Sequence, residues 1–105
     1  MSYVGVSQTH WDKWRNEPDE VKLHTASKQG DPQLVGFDEG RAATPQDIAD
    51  LLRRGTEVWT IVPDDKNYYV PVNRVSARGS AKPSLYSYDA GGQPTNSLAD
   101  LPRWD

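Results

Sequence analysis

A chain of 105 residues with net charge −3, 35% hydrophobic residues and no cysteine is sized for one domain around one modest core, burying about 65% of its unfolded surface. The missing cysteines exclude disulfides and thiolate chemistry and fit a reducing compartment. The negative balance argues against a general electrostatic hold on nucleic acid, and no apolar run nears the ~20 residues of a membrane-spanning helix.

Mean hydropathy is low, at −0.82, so the apolar payload falls to four Trp and five Tyr, each able to bury ~150–250 Å². The opening "MSYVGVSQTH" lacks the basic and apolar blocks of a secretory signal. The expectation is a soluble, cytoplasmic protein with residues 1–105 as a single domain.

"YVGVSQT" alternates in the manner of a half-buried strand. "HWDKWRNEPDE" places Trp11 and Trp14 three apart before Pro18, as one helical turn or a loop would. "EVKLHTAS" sets Val21, Leu23 and Thr25 on one face and Lys22, His24 and Ala26 on the other. The turn residues "KQGDP" and the run "QLVGF" then make a hairpin.

The segment "RAATPQDIADLLRRG" carries every local mark of a helix. The Thr44 hydroxyl can cap the first turn, Pro45 suits a position needing no donor, and Asp47 completes a capping box. Ile48, Leu51 and Leu52 form an apolar stripe, and Gly55 supplies a left-handed end. "EVWTIV", the turn "PDDKN" and "YYVPVNRV" predict a second hairpin over 57–75, with Pro71 marking an edge, a bulge or a gap in pairing. "SLYSYDA" is a third strand ending at "GGQP".

Strands in a run, rather than alternating with helices, imply an α+β fold. The expected form is a small antiparallel sheet of about five to six short strands in hairpins. One short helix packs on one face, and a C-terminal tail closes the core. In that tail, "PTNSLADLPRWD", Leu98 and Leu101 pack a terminal turn over the sheet and Trp104 caps its open end or lies exposed.

From about Val21 to Trp104 the chain resembles the small bacterial and phage domains grouped as domain of unknown function 3892. The likeness rests on the helix "TPQDIADLLRRG" closing in Gly, on "LYSYDAGG" (85–92) and on "TNSLADLP" (95–102). That resemblance implies the hairpin, helix, strand and tail order above. It brings no established activity, cofactor or site residues.

Candidate chemistry is sparse, and the chain is expected not to be an enzyme. His10 and His24 are the side chains that titrate near neutrality. His24, beside Lys22 on a polar strand face, reads as a solvated surface residue. His10 with Asp12 lacks a third ligand at metal-site spacing. The adjacent Asp64 and Asp65 belong to a turn, and no serine stands in a nucleophile elbow. No catalytic residue, metal site or cofactor is expected.

Two binding surfaces remain. The first is a protein-binding surface anchored by Trp11, Trp14, Tyr69 and Trp104, since tryptophan dominates interface energetics; the alternative is that Trp11 and Trp14 cover the sheet face opposite the helix, where a core poor in aliphatics needs bulk. The second, from another class, is a single-stranded nucleic-acid or anion site on the basic, tyrosine-rich segment 66–88. Lys66, Arg74, Arg78 and Lys82 give that segment +4 with no acid, leaving the rest of the chain at −7. Arg74, Arg78 and Lys82 would meet phosphates while Tyr86 and Tyr88 stack bases. In an unbroken strand Tyr69 and Arg74 fall on opposite faces, so Tyr69 joins that surface only if Pro71 shifts the register. Pro71 and nearby charges also discourage self-pairing along 68–75. The partner is expected to be another protein, with nucleic acid the alternative, no membrane, and a monomer or weak homodimer.

Overall fold

A computed structural model describes residues 3–14, 17–28, 35–37, 39–63, 69–79 and 83–104, with side chains for all of these except 26–28 and 35–37. The "KQGDP" and "PDDKN" turns beyond their first residues, Lys66, Tyr68 and Lys82 lie outside the described residues. The elements run β1 (Tyr3–Asp12), β2 (Glu17–Lys28), β3 (Val35–Phe37), β4 (Arg41–Ala43), α1 (Pro45–Arg53), β5 (Glu57–Pro63), β6 (Tyr69–Arg78), β7 (Ser84–Tyr88) and β8 (Pro94–Thr95). Neighbours across the sheet follow the order β3-β2-β1-β5-β6-β7-β8, and β4 pairs with β2 off that path. The fold is α+β as expected. Seven strands on the path exceed the expected five to six.

The sheet is also mixed rather than wholly antiparallel. β1 runs parallel to β5, with Val4 opposite Val58 and Val6 opposite Thr60. A parallel pair needs a long crossover, and here β2, β3, β4 and α1 all lie within it. The other strand pairings are antiparallel: the expected β2–β3 and β5–β6 hairpins, with β7 beside β6, and, beyond what was expected, β1 with β2, β2 with β4 and β7 with β8.

"HWDKWRNEPDE" is neither a helical turn nor a plain loop. β1 continues through Asp12, and β2 begins at Glu17, with Trp11 opposite Pro18 and Asp12 opposite Glu17. Pro18 is tolerated because the register shifts beside it, between His10 and Trp11, where a bulge relieves the ladder of one donor. The Trp11–Trp14 spacing comes from a turn at a hairpin end.

The helix forms as read. The Thr44 hydroxyl accepts from the Asp47 N–H at 3.2 Å, and the Asp47 carboxylate accepts from the Thr44 N–H at 3.0 Å. At the other end Gly55 takes φ +84°, while Gly55 and Thr56 donate to the Leu52 and Leu51 carbonyls. That double bond pattern ends a helix without stranded acceptors. Ile48 is buried, and Leu51 and Leu52 pack against the core from the same side.

The core lies between α1 and one face of the sheet. Val4 and Val6 of β1, Val21 and Leu23 of β2, Val58, Val75 and Leu85 supply it. The tail closes it: Leu98 and Leu101 are both buried in the same cluster. The buried Ser87 hydroxyl donates to the Thr95 carbonyl at 2.9 Å and accepts from the Leu98 N–H at 3.2 Å. One polar side chain thus satisfies the backbone that starts the tail.

Candidate functional site

The far end of the β1–β2 hairpin gathers most of the tryptophan. The Trp14 N–H donates to Asp12 Oδ1 at 2.8 Å, a local turn bond of the kind Asp favours. That bond orders the backbone, yet the Trp14 side chain is 97% exposed. Trp11 is half-buried. Its indole N–H donates to the Thr9 hydroxyl at 2.8 Å, and the Arg103 guanidinium lies 3.9 Å above its ring centroid.

Arg103 is placed there by the tail. Beyond Val6, β1 has no further pairing with β5, and the tail takes up the vacated edge. The Thr9 N–H donates to the Pro102 carbonyl at 3.0 Å, and the Trp104 N–H donates to the Thr9 carbonyl at 3.1 Å. This parallel bridge sets the half-buried Trp104 ring 5.8 Å from His10. His10 Nδ1 in turn meets Asp19 Oδ1 at 2.5 Å. The result is an open cleft of about 780 Å³ lined by His10, Trp11, Asp12, Lys13, Trp14, Asp19, Arg103 and Trp104. Three of the four expected protein anchors therefore line one cleft, and Trp104 both caps the sheet and faces solvent.

Tyr69 is the fourth, and it lies elsewhere. In β5–β6, Ile61 pairs with Pro71 but Trp59 pairs with Arg74, two residues against three. Residues opposite one another share a face, so this bulge carries Arg74 to the face of Tyr69 and Pro71. The opposite-face reading of an unbroken strand is thereby corrected. The Thr60 hydroxyl accepts from the Asn73 N–H at 3.1 Å and secures the bulge. Tyr69 itself is half-buried, its ring 5.0 Å from His24.

On that face the proposed basic surface is partly assembled. Arg74 sits opposite Tyr88 and Trp59, and Ser76 opposite Tyr86. The Arg78 guanidinium lies 4.5 Å over the Tyr86 ring, and Tyr86 and Tyr88 are 6.0 Å apart. Arg74 is less available: it pairs with Glu57 at 2.8 Å and lies 5.4 Å over Trp59. A hydrogen bond with the Ser76 side chain, helped by the Arg78 charge and opposed by desolvation, holds the Tyr86 phenol below its ordinary pKa. Burial and then the Glu57 charge raise that of Tyr3.

His24 is not the solvated residue its strand alternation suggests. It is 2% exposed, and its Nε2 lies 2.6 Å from the Ser7 hydroxyl. The face it occupies is covered by Tyr69 and by the backbone at Gly40. A hydroxyl against an imidazole is the start of a nucleophile–base pair, but Ser7 is buried too, and the two satisfy one another inside the fold. Among the described residues no three His, Asp or Glu side chains come together as a metal site, and no helix is long and apolar enough to cross a membrane.

Arg103, Asp19 and Trp59 were not legible as site residues. Arg103 and Asp19 enter through a tail bridge and a bulge that local pattern does not encode. Trp59 was accessible in principle, since hairpin pairing of 57–75 would place it against the basic strand. Val62, Val70 and Val72 are further exposed apolar residues on β5 and β6, with Val62 opposite Val70. No family model, curated protein or solved structure matches this chain.

Proposed function

We propose that this chain is a non-enzymatic binding module that holds another protein in the tryptophan cleft. The observation that carries the reading is Trp14, 97% exposed on a hydrogen-bonded turn and beside two more indoles in one cleft. The backbone under Trp14 is already ordered by that bond, so the turn loses little freedom when a partner covers it, and buried tryptophans are worth about 2 kcal/mol or more at interface centres. The cleft's mixed rim of Asp12, Lys13 and Asp19 supplies orientation in addition to apolar area.

Panning a random-peptide display library against the full chain tests this. Enriched peptides should lose binding to Trp14→Ala by about tenfold or more, while the variant's melting temperature stays within a few degrees. Enrichment indifferent to Trp14 would move binding elsewhere, with Val62, Val70 and Val72 next in line, and would overturn the reading.

A second reading is favoured by the β6 bulge, which puts Arg74, Arg78, Tyr86 and Tyr88 on one sheet face with Trp59. Rings interleaved with guanidinium groups suit single-stranded nucleic acid, whose bases stack while its phosphates pair. Arg78 is the residue to change, because Arg74 is tied to Glu57. Under this reading a fluorescent single-stranded oligonucleotide binds at low salt, with log affinity falling by about 0.7 per phosphate contact against log salt. Arg78→Glu should abolish the binding. An oligonucleotide that fails to bind even at low salt removes this surface from consideration.

A further inference from the structure

Resting on the reading of the β6–β7 face as a single-stranded nucleic-acid surface, we infer that Glu57 is an intramolecular competitor of its ligand, holding on Arg74 the seat a phosphate would take. The bulge in β6 sets up the competition. It turns Arg74 onto the face of Trp59 and Tyr88. Glu57 stands on that same face, two residues before Trp59 and opposite Tyr3.

A guanidinium recognises carboxylate and phosphate with the same donors. Glu57 Oε1 lies 2.8 Å from Arg74 Nη1, so the carboxylate is an internal substitute for the ligand. The pair is a latch rather than a permanent brace. Its two side chains remain 32% and 29% exposed, and ion pairs open to water hold weakly. Arg74 Nε is meanwhile buried with no hydrogen-bond partner among the described residues. An unmatched buried donor is a cost of the latched arrangement, and a guanidinium that turns outward to a phosphate removes it.

The latch covers a second contact as well. Glu57 keeps the guanidinium 5.4 Å over the Trp59 ring, so release of Arg74 bares an indole on which a base can stack. The other charges of the face leave the latched surface with little attraction for phosphate. Arg78 stands opposite Ser84, whose hydroxyl donates to Glu17 at 3.0 Å. A carboxylate therefore attends each end of the face, and the field of the two arginines is largely offset. The Glu57 charge is felt there, since after burial it is what raises the Tyr3 phenol pKa.

The test is titration of a fluorescent single-stranded oligonucleotide, across a low-salt series, into the full chain as wild type, Glu57→Gln, Arg74→Gln and the double substitution. Glu57→Gln keeps the side chain's shape and removes its charge. It should tighten binding by about threefold or more. The fall of log affinity with log salt should steepen by about 0.7, one further phosphate contact. Both gains should vanish when Arg74→Gln is added, because no guanidinium is left to release. Glu17→Gln is the charge-matched control: any gain it gives should survive Arg74→Gln.

Failure of the inference and failure of the underlying reading give different results. If the oligonucleotide binds the wild type and is lost in Arg78→Glu, yet Glu57→Gln leaves its affinity unchanged, the latch falls and the nucleic-acid face stands. A gain from Glu57→Gln that persists undiminished beside Arg74→Gln also overturns the latch, since it then reports charge alone. If the wild type does not bind at low salt, or binds indifferently to Arg78→Glu, the face and the latch fall together.

Discussion

Leu101→Ala should lower the unfolding free energy by about 2–5 kcal/mol, read from urea denaturation with an unchanged m-value. Leu101 is 4% exposed and belongs to the same cluster as Val6, Leu23 and Ile48. Its turn is tied by the Asp100 N–H to the Asn96 carbonyl at 2.8 Å and by Leu98 to Ser87. The backbone therefore cannot follow the shortened side chain inward, and a cavity remains. Against the ~5–15 kcal/mol that holds a domain of this size, the loss is large. A loss below about 1 kcal/mol would mean that the tail is a detachable flap, and that the wall carrying Trp104 is not fixed by the core.

Gly40→Ala should cost about 2–5 kcal/mol, for two reasons that can be separated. Gly40 has φ +85°, and a side chain in the left-handed region costs about 1–2 kcal/mol. Its added Cβ would also stand 2.7 Å from His24 Cε1 and 2.9 Å from Nδ1. That ring cannot swing away easily, since it is buried against Tyr69 and bound to Ser7. Overpacking of this kind costs about 1–3 kcal/mol.

Gly55→Ala is the internal control. Gly55 has nearly the same φ, +84°, but an added Cβ there meets nothing within 4 Å. Its cost should be the backbone term alone, about 1–2 kcal/mol. The difference between the two variants, by urea or thermal unfolding, measures the His24 contact. Equal costs would show that the ring yields.

What could be read from the sequence was whatever short range decides. Thr44, Pro45, Asp47 and Gly55 mark both ends of α1 within a dozen residues, and the structure uses each of them. The 57–75 hairpin and the burial of Leu98 and Leu101 followed from alternation and spacing. The parallel β1–β5 pairing was out of reach, because nothing local tells a strand which distant strand will lie beside it. The end of the first hairpin was misread for a related reason, since a bulge at Pro18 hides the strand pattern.

His24 shows a different limit. Alternation sorts side chains into two faces but does not say whether a face is covered, and here Tyr69 covers it from β6. At the candidate site, Trp11, Trp14 and Trp104 were legible one at a time, because large aromatics are conspicuous in so polar a chain. Their convergence was not, since it depends on the single bridge between Thr9 and Arg103.

That bridge has a consequence for how the molecule assembles. The β1–β2 hairpin can zip early from neighbouring residues, but its outer edge waits for segments from the middle and the last tenth of the sequence. Closures of such long loops are slow, in the millisecond-to-second range for sheet-rich domains. The cleft exists only once the final closure is made, so a bound ligand favours the closed chain over every open one. Occupancy at a hundred times the dissociation constant would add about 2.7 kcal/mol to global stability. A rise in melting temperature thus reports ligands for a surface that the open chain does not possess.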